Sequence, residues 1–294
     1  MRTHTVAAVV LAGPALAVIA VFFAVPVIAG LALSLTDFDL YALADLSTLR
    51  FVGLQNYARL LQTPLFWQAF GNTLYFVVVG VPVSIGLSLT AALLLSARVA
   101  RWHGFFRTAL FAPVVTTVVA VAVIWRYLLH TRYGLINQAL AGIGIDPVNW
   151  LGDPHWSMPA IILFSAWKNF GYNMIILLAA LQSVPREVYE SARVDGAGAL
   201  RQFTDMTVPI LMPTLVMVGI MTTTGYFQLF AEPYVMTQGG PLRSTFSMLY
   251  LMYEEGFRWW NLGNASAVAF LLFVVIFCVS WVMLRFDRDA PGRR

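Results

Sequence analysis

Few residues in this chain have the types and spacing for covalent chemistry. Lys168 is the sole lysine, and it stands between Trp167 and Asn169. A phosphate-cradling loop of the form G-x-x-x-x-G-K-[ST] is therefore excluded. His4, His103, His130 and His155 are scattered, with no H-E-x-x-H or similar spacing, and no G-x-S-x-G elbow occurs. Cys278 is the single cysteine, which leaves no disulfide framework and no cysteine metal site. Asn264-Ala265-Ser266 fits the glycosylation triplet but opens an apolar run. These residues point away from catalysis and from a cofactor held by this chain.

Two polar clusters inside apolar runs offer chemistry of another kind. The first is Trp167-Lys168-Asn169-Phe170-Gly171-Tyr172-Asn173; the second is Thr222-Thr223-Thr224-Gly225-Tyr226-Phe227-Gln228, followed by Glu232. Amides and hydroxyls hydrogen-bond polyhydroxylated solutes, and aromatic rings pack on the apolar faces of a pyranose. Asn169, Tyr172 and Asn173 share a helical face at i, i+3 and i+4, and Thr222 and Tyr226 are spaced i, i+4. The same groups also serve as glue between helices in lipid, worth about 0.6 kcal/mol on average. A threonine can bond its own i−4 carbonyl and bend a helix as well. Lys168 costs about 2.5–3.5 kcal/mol at the centre of a span, so it needs a partner, a snorkelling route or a wet cavity.

The elements that must position these clusters are membrane spans. The chain has 294 residues, of which 60% are hydrophobic and 11% charged. Soluble domains carry about 25% charged residues, so this is an integral membrane protein. About 20 apolar residues span a bilayer as a helix. Six spans are predicted, 6–35, 67–96, 108–129, 158–182, 207–231 and 263–284. They form a single all-α transmembrane domain over 1–294. The first run is too long for the apolar core of a signal peptide and reads as an uncleaved span.

Orientation follows from arginine placement. Residues 1–5, 97–107, 183–206 and 285–294 hold 11 arginines in 50 residues, whereas 36–66, 130–157 and 232–262 hold 5 in 90. The bias places both termini and the 183–206 loop in the cytoplasm. It also accounts for the net charge of +4 without any nucleic-acid partner.

The cytoplasmic loop 183–206 has the sharpest local pattern. Pro185 suits a first helical position, and Glu187 and Glu190 oppose the positive end of the helix dipole. Val188, Ala192 and Asp195 fall on one side. Ser191 and Ala192 are small enough for a partner to approach closely, and Gly196 and Gly198 end the helix. A second short run, Ala199 to Met206, completes a helix–turn–helix elbow lying on the membrane. The string Glu190-Ser191-Ala192-x-x-Asp195-Gly196-Ala197, followed by Phe203 and Pro209, resembles the E-A-A-x-x-D-G-A motif of permease subunits from binding-protein-dependent ABC importers. It departs from that motif only at Ser191. Phe51-Val52-Gly53-Leu54-Gln55-Asn56-Tyr57 and Thr237-Gln238-Gly239-Gly240-Pro241 are similar to landmarks of the carbohydrate-uptake branch, the maltose- and glycerol-phosphate-type permeases.

This resemblance covers essentially the whole chain and carries further expectations. It implies a second homologous permease, a cytoplasmic ATPase dimer that binds the ATP and Mg, and an extracytoplasmic solute-binding protein. It implies a sugar-like solute. Glu187, Glu190, Ser191, Ala192, Asp195, Gly196 and Ala197 become the contact to the ATPase. Tyr172, Asn173, Thr222 and Tyr226, then Asn169 and Gln228, become the substrate path. The rival class is an ion-gradient-driven secondary transporter. No internal repeat and no intramembrane carboxylate favours it, Glu232 at a span end being the nearest candidate.

Overall fold

A computed structural model describes residues 2–45, 47, 49–96 and 102–288. Arg98, Arg101, Arg293 and Arg294, which contribute to the charge bias, lie outside the described residues. The described chain is helical, with a lone antiparallel bridge between Thr36 and Phe51.

In order, the helices are α1 (Arg2–Ile19), α2 (Val25–Ser34), α3 (Leu40–Ala44), α4 (Gln55–Gln62), α5 (Pro64–Ser96), α6 (His103–Val115), α7 (Val118–Leu128) and α8 (Leu135–Gly142). They continue as α9 (Pro154–Gln182), α10 (Arg186–Val194), α11 (Ala199–Gln202), α12 (Val208–Phe227), α13 (Ala231–Met236), α14 (Met248–Tyr253) and α15 (Leu262–Arg288). Single π-helical turns join α1 to α2, α11 to α12, and follow α14. Five helical stretches are long and apolar enough to cross a membrane: Leu11–Ser34, Pro64–Ser96, Pro154–Gln182, Ala199–Phe227 and Leu262–Arg285.

The expected third span, 108–129, is not one helix. Its two halves, α6 and α7, meet at 101°, and only the pair together makes a sixth crossing. Pro113 and the extended Thr116 and Thr117 explain the break. Proline removes a backbone donor, and extended residues end the i→i−4 ladder. The fifth span also differs from expectation. It starts at Ala199 rather than 207, so the second arm of the elbow is the first turns of the span itself. Its helix stops at Phe227, and a separate helix, α13, follows.

The chain forms two packing units. The first comprises Met1–Phe66 and Leu251–Phe273. Leu11–Ser34 buries none of its most apolar stretch, a surface that is stable only in hydrocarbon. Asn56 ties off the end of α2. Its amide donates to the Ser34 and Thr36 carbonyls at 2.9 and 2.8 Å, and Tyr57 pairs its hydroxyl with that of Ser34 at 2.7 Å. Gly53, at φ +59°, makes the preceding turn. The Phe51–Tyr57 landmark is thus a capping device for a helix end.

The second unit comprises Trp67–Tyr250 and Val274–Arg294. α9 is its most buried span, with 67% of its apolar window inside. Met174, Leu177 and Leu178 of α9 pack against Ala92 and Leu95 of α5 and Val218 of α12. Ser88 of α5 donates to the Phe170 carbonyl at 2.9 Å. Gly171 lets α6 reach the backbone of α9, since a Cβ there would stand 2.5 Å from the Leu110 carbonyl oxygen. In this unit Thr237–Pro241 is a tight turn too: the Thr237 and Thr245 hydroxyls pair at 2.7 Å, and Thr245 donates to the Gly240 carbonyl at 2.9 Å. Asn72 of α5 holds the loop by donating to the Arg243 and Phe246 carbonyls at 2.8 and 3.0 Å.

Candidate functional site

The polar face of α9 and the last turns of α12 meet across a cavity of about 390 Å³ within the second unit. All six residues expected on the substrate path line it: Asn169, Tyr172 and Asn173 from α9, and Thr222, Tyr226 and Gln228 from α12 and its cap. The spacing argument therefore found one wall from each helix. The structure adds what spacing does not reveal, namely Phe76 of α5, Val114 of α6, Ser165 of α9 and Glu232 of α13. Glu232 arrives because the fifth span ends at Phe227 and the chain turns back into α13, which packs against α7 and α9. A size between about 300 and 1,000 Å³, with mixed polar and aromatic walls, is that of a small-molecule site.

The side chains in the cavity divide into fixed and free. The Asn173 amide donates to the Thr222 hydroxyl at 2.8 Å, and both residues are buried. Thr224 bonds its i−4 carbonyl, Ile220, at 2.8 Å, the bending geometry expected for this triplet. Gln228 donates to the Thr224 carbonyl at 3.1 Å. The Tyr226 ring stacks on Phe76, with centroids 4.8 Å apart and planes 25° apart. Its hydroxyl and the Ser165 hydroxyl are buried without a hydrogen-bond partner in range, although Ser84 and Asn169 stand near the former and Glu232 near the latter. Buried polar atoms normally find partners, and for these two hydroxyls the polar side chains nearby are those of Ser84, Asn169 and Glu232.

Lys168 lies beside this cavity but does not line it. Only 8% exposed, it donates from Nζ to the Val114 carbonyl at 3.1 Å. Val114 sits in the last turn of α6, whose carbonyls lose their helical partners at the break. The lysine has therefore found its partner in the broken span.

At the other end of this unit α10 forms the first arm of the elbow. Pro185 caps the helix from outside, in extended conformation, rather than occupying its first position. The end of α10 is a Schellman turn: Gly196 donates to the Arg193 carbonyl at 3.1 Å and Ala197 to the Ala192 carbonyl at 2.9 Å, with Gly196 at φ +76°. Glu187, Glu190, Ser191, Asp195 and Gly196 are exposed, and Ala197 is half-buried. Ala192 faces inward and is 1% exposed, so it does not share an open face with Asp195. Its size serves packing within the chain. Two apolar side chains that the pattern did not single out, Val194 and Leu200, are 88% and 78% exposed beside these carboxylates. Tyr189 meets Thr207 hydroxyl to hydroxyl at 3.0 Å, and Gln202 donates to the Ala197 carbonyl at 2.7 Å. The elbow is thereby clamped to the start of the span whose far end carries Thr222 and Tyr226.

A multi-pass membrane protein with an internal solute-sized cavity and a clamped polar elbow is the class these features define. Residues 85–290 match the model of the binding-protein-dependent transport system inner membrane component, and the chain belongs to that family. It is 36% identical over 281 residues to the lactose transport system permease protein LacF of Rhizobium radiobacter, covering 94% of this chain and 92% of that protein. It is 31% identical to the sn-glycerol-3-phosphate transport system permease protein UgpA of Yersinia pseudotuberculosis, over 93% and 91% of the two chains. The fold matches that of a bacterial ABC transporter involved in import of the acidic polysaccharide alginate, with a TM-score of 0.80, 23% identity, and coverage of 99% of this chain and 97% of that one. The protein is thus an inner-membrane transport component of this family rather than an enzyme or an ion-gradient-driven carrier.

Proposed function

We propose that this chain is the permease subunit of an ATP-driven importer for a sugar or sugar-like solute, and that its cavity between α9 and α12 is the solute's way-station. The observation that carries this reading is the cavity wall. Amides from Asn169, Asn173 and Gln228, hydroxyls from Thr222 and Tyr226, and the rings of Tyr172, Tyr226 and Phe76 face one space. That mixture suits a polyol, which presents donors and acceptors at its rim and C–H groups on its faces. Relatives named for lactose, trehalose/maltose and arabinooligosaccharide transport support the sugar class.

The partners follow from the same reading. A second, similar permease completes the path, and an extracytoplasmic binding protein delivers the solute. A cytoplasmic ATPase dimer, which carries ATP and Mg, docks on the exposed face of α10 through Glu187, Glu190, Ser191, Asp195 and Gly196. Both termini face the cytoplasm. Closure of the ATPase pair moves the elbow, the Tyr189–Thr207 clamp passes the movement to the span Ala199–Phe227, and the cavity wall shifts between outward and inward access.

Affinity purification from native membranes in mild detergent tests the assembly. An ATPase and a second multi-span protein are expected to co-purify, and recovery of this chain alone overturns it. For the cavity, Asn173→Ala combined with Tyr226→Ala is expected to lower uptake at least tenfold while the ATPase still co-purifies. Unchanged uptake at every solute concentration overturns that assignment.

A further inference from the structure

The end of α7 carries a second cavity within the second unit, of about 270 Å³. Val123, Arg126 and Tyr127 of α7 line it, with His130 and Tyr133 of the turn that follows. The α6–α7 pair makes one broken crossing, and the chain then runs through 129–153 into the start of α9. The elbow follows the other end of α9, so this cavity stands at the membrane boundary opposite the elbow. Its turn is held shut. Gly134 donates to the His130 carbonyl at 2.9 Å, and a Cβ at Gly134 would collide with the Leu128 and His130 carbonyls. Asn137 donates to the Thr131 and Val148 carbonyls at 3.0 and 2.8 Å. The His130 and Tyr133 rings stack as one wall. His130 Nδ1 accepts from the Arg132 backbone N–H at 3.2 Å, which keeps the proton of the neutral ring on Nε2, a donor.

Arg126 is exposed, and among the described residues no hydrogen bond or ion pair engages its guanidinium. Among the described residues the lining holds no carboxylate. Val119 and Val123, spaced i, i+4 on the same side of α7, are exposed too, so an apolar stripe ends in a cationic, hydroxyl-bearing cup. We infer that, whatever solute the first cavity carries, this cup binds the phosphodiester headgroup of an anionic membrane phospholipid, whose acyl chains lie along Val119 and Val123. A guanidinium presents a planar fork that matches two phosphate oxygens, and the tyrosine hydroxyls and the His130 Nε2–H add donors. Tyrosine sits at headgroup level because its ring is apolar and its tip polar. A basic pocket at the end of a span attracts acidic headgroups. The helix dipole also favours a cation in the last turn of α7, but that interaction needs no cavity and does not distinguish one lipid from another.

For the test, the protein is purified with its co-purifying subunits in mild detergent and titrated with phosphatidylglycerol, phosphatidylcholine or inorganic phosphate, with native mass spectrometry reading the bound molecules. The first phosphatidylglycerol is expected to bind at least about fivefold more tightly than phosphatidylcholine, the effect of one basic side chain at an anionic surface. Arg126→Met is expected to abolish that preference. Arg132→Met, whose side chain lies outside the lining, is expected to keep it. No preference in the unaltered protein, or an unchanged one in Arg126→Met, overturns the site. Equal loss in both variants shows general surface charge and overturns it as well. Inorganic phosphate that displaces phosphatidylglycerol assigns the cup to a free anion and overturns the lipid. Loss of both lipids alike in Arg126→Met, with a lower unfolding temperature, reduces Arg126 to a structural role.

Discussion

Asn173 on α9 donates its amide proton to the hydroxyl of Thr222 on α12 at 2.8 Å, and both residues are buried on the wall of the same cavity. This contact is interhelical glue and cavity lining at once, so the two readings open for these residues do not compete. Thr222→Val keeps the shape and removes the acceptor. Its cost in stability is expected to be small, about 0.6 kcal/mol and at most about 1.7, because the helices in lipid find other partners. Uptake is expected to fall further than that, since the freed Asn173 amide no longer holds its rotamer. Thermal unfolding and initial uptake rates measured on the same preparation separate the two effects, and equal, proportionate losses would reduce the pair to glue.

Gly80 of α5 makes room for Tyr226. A Cβ at position 80 would lie 2.7 Å from the tyrosine Cε1, closer than real contacts allow. Gly80→Ala is expected to displace the ring from its stack on Phe76 and to cost about 1–3 kcal/mol of overpacking. Uptake should drop with it. Gly86 on the same helix has open space around it and serves as the control, where alanine should be tolerated. A loss at position 86 as large as at position 80 would show helix propensity, not the ring, to be responsible.

Removal of the Lys168 ammonium leaves the Val114 carbonyl without its donor at the broken end of α6. Hydrogen bonds to charged groups contribute about 1.5–3 kcal/mol, so Lys168→Met is expected to lower the unfolding temperature measurably. Unchanged stability and unchanged transport in this variant would mean that the lysine has no structural duty.

In the elbow, Gly196→Ala forces an L side chain to φ +76° at the end of α10. That conformation costs roughly 1–2 kcal/mol. Assembly with the ATPase is expected to weaken while membrane insertion persists. Asp195→Lys reverses an exposed charge without touching the fold, and is expected to uncouple uptake from ATP hydrolysis. Co-purification and coupled ATPase assays read out both variants; normal values in both would displace the docking face from α10.

Glu255 lies outside the spans, half-buried after α14, with the Asn264 amide donating to it at 3.3 Å. Burial, its largest influence, raises its pKa above the ordinary 4.5, although the Asn264 bond and Arg59 pull the other way. The folded protein therefore favours the protonated acid. Ionisation of Glu255 takes stability away as pH rises from the ordinary value through the raised one. Glu255→Gln is expected to unfold at higher temperature than the parent at neutral pH, with the difference vanishing at about pH 4. A constant offset across that range would show that the carboxyl titrates as in the unfolded chain.

The sequence by itself determined the membrane character, the approximate spans and the elbow. Its apolar runs exceed the bilayer thickness, and a glycine flanked by a short amphipathic helix has few other ways to end it. It also determined which faces of two spans are polar, because helical periodicity places Asn169, Tyr172 and Asn173 together, and Thr222 with Tyr226. Only the tertiary structure decided the rest. The break in 108–129 follows from packing: Gly171 admits the backbone of α6, and Lys168 satisfies a carbonyl that a continuous helix would have used itself. Ala192 reads as a docking surface until its neighbours bury it. Glu232 looks like a residue beyond a span end until the chain turns at Phe227 and brings it back to the cavity. Periodicity records which residues of one helix share a face, whereas which faces meet depends on contacts between residues distant in sequence.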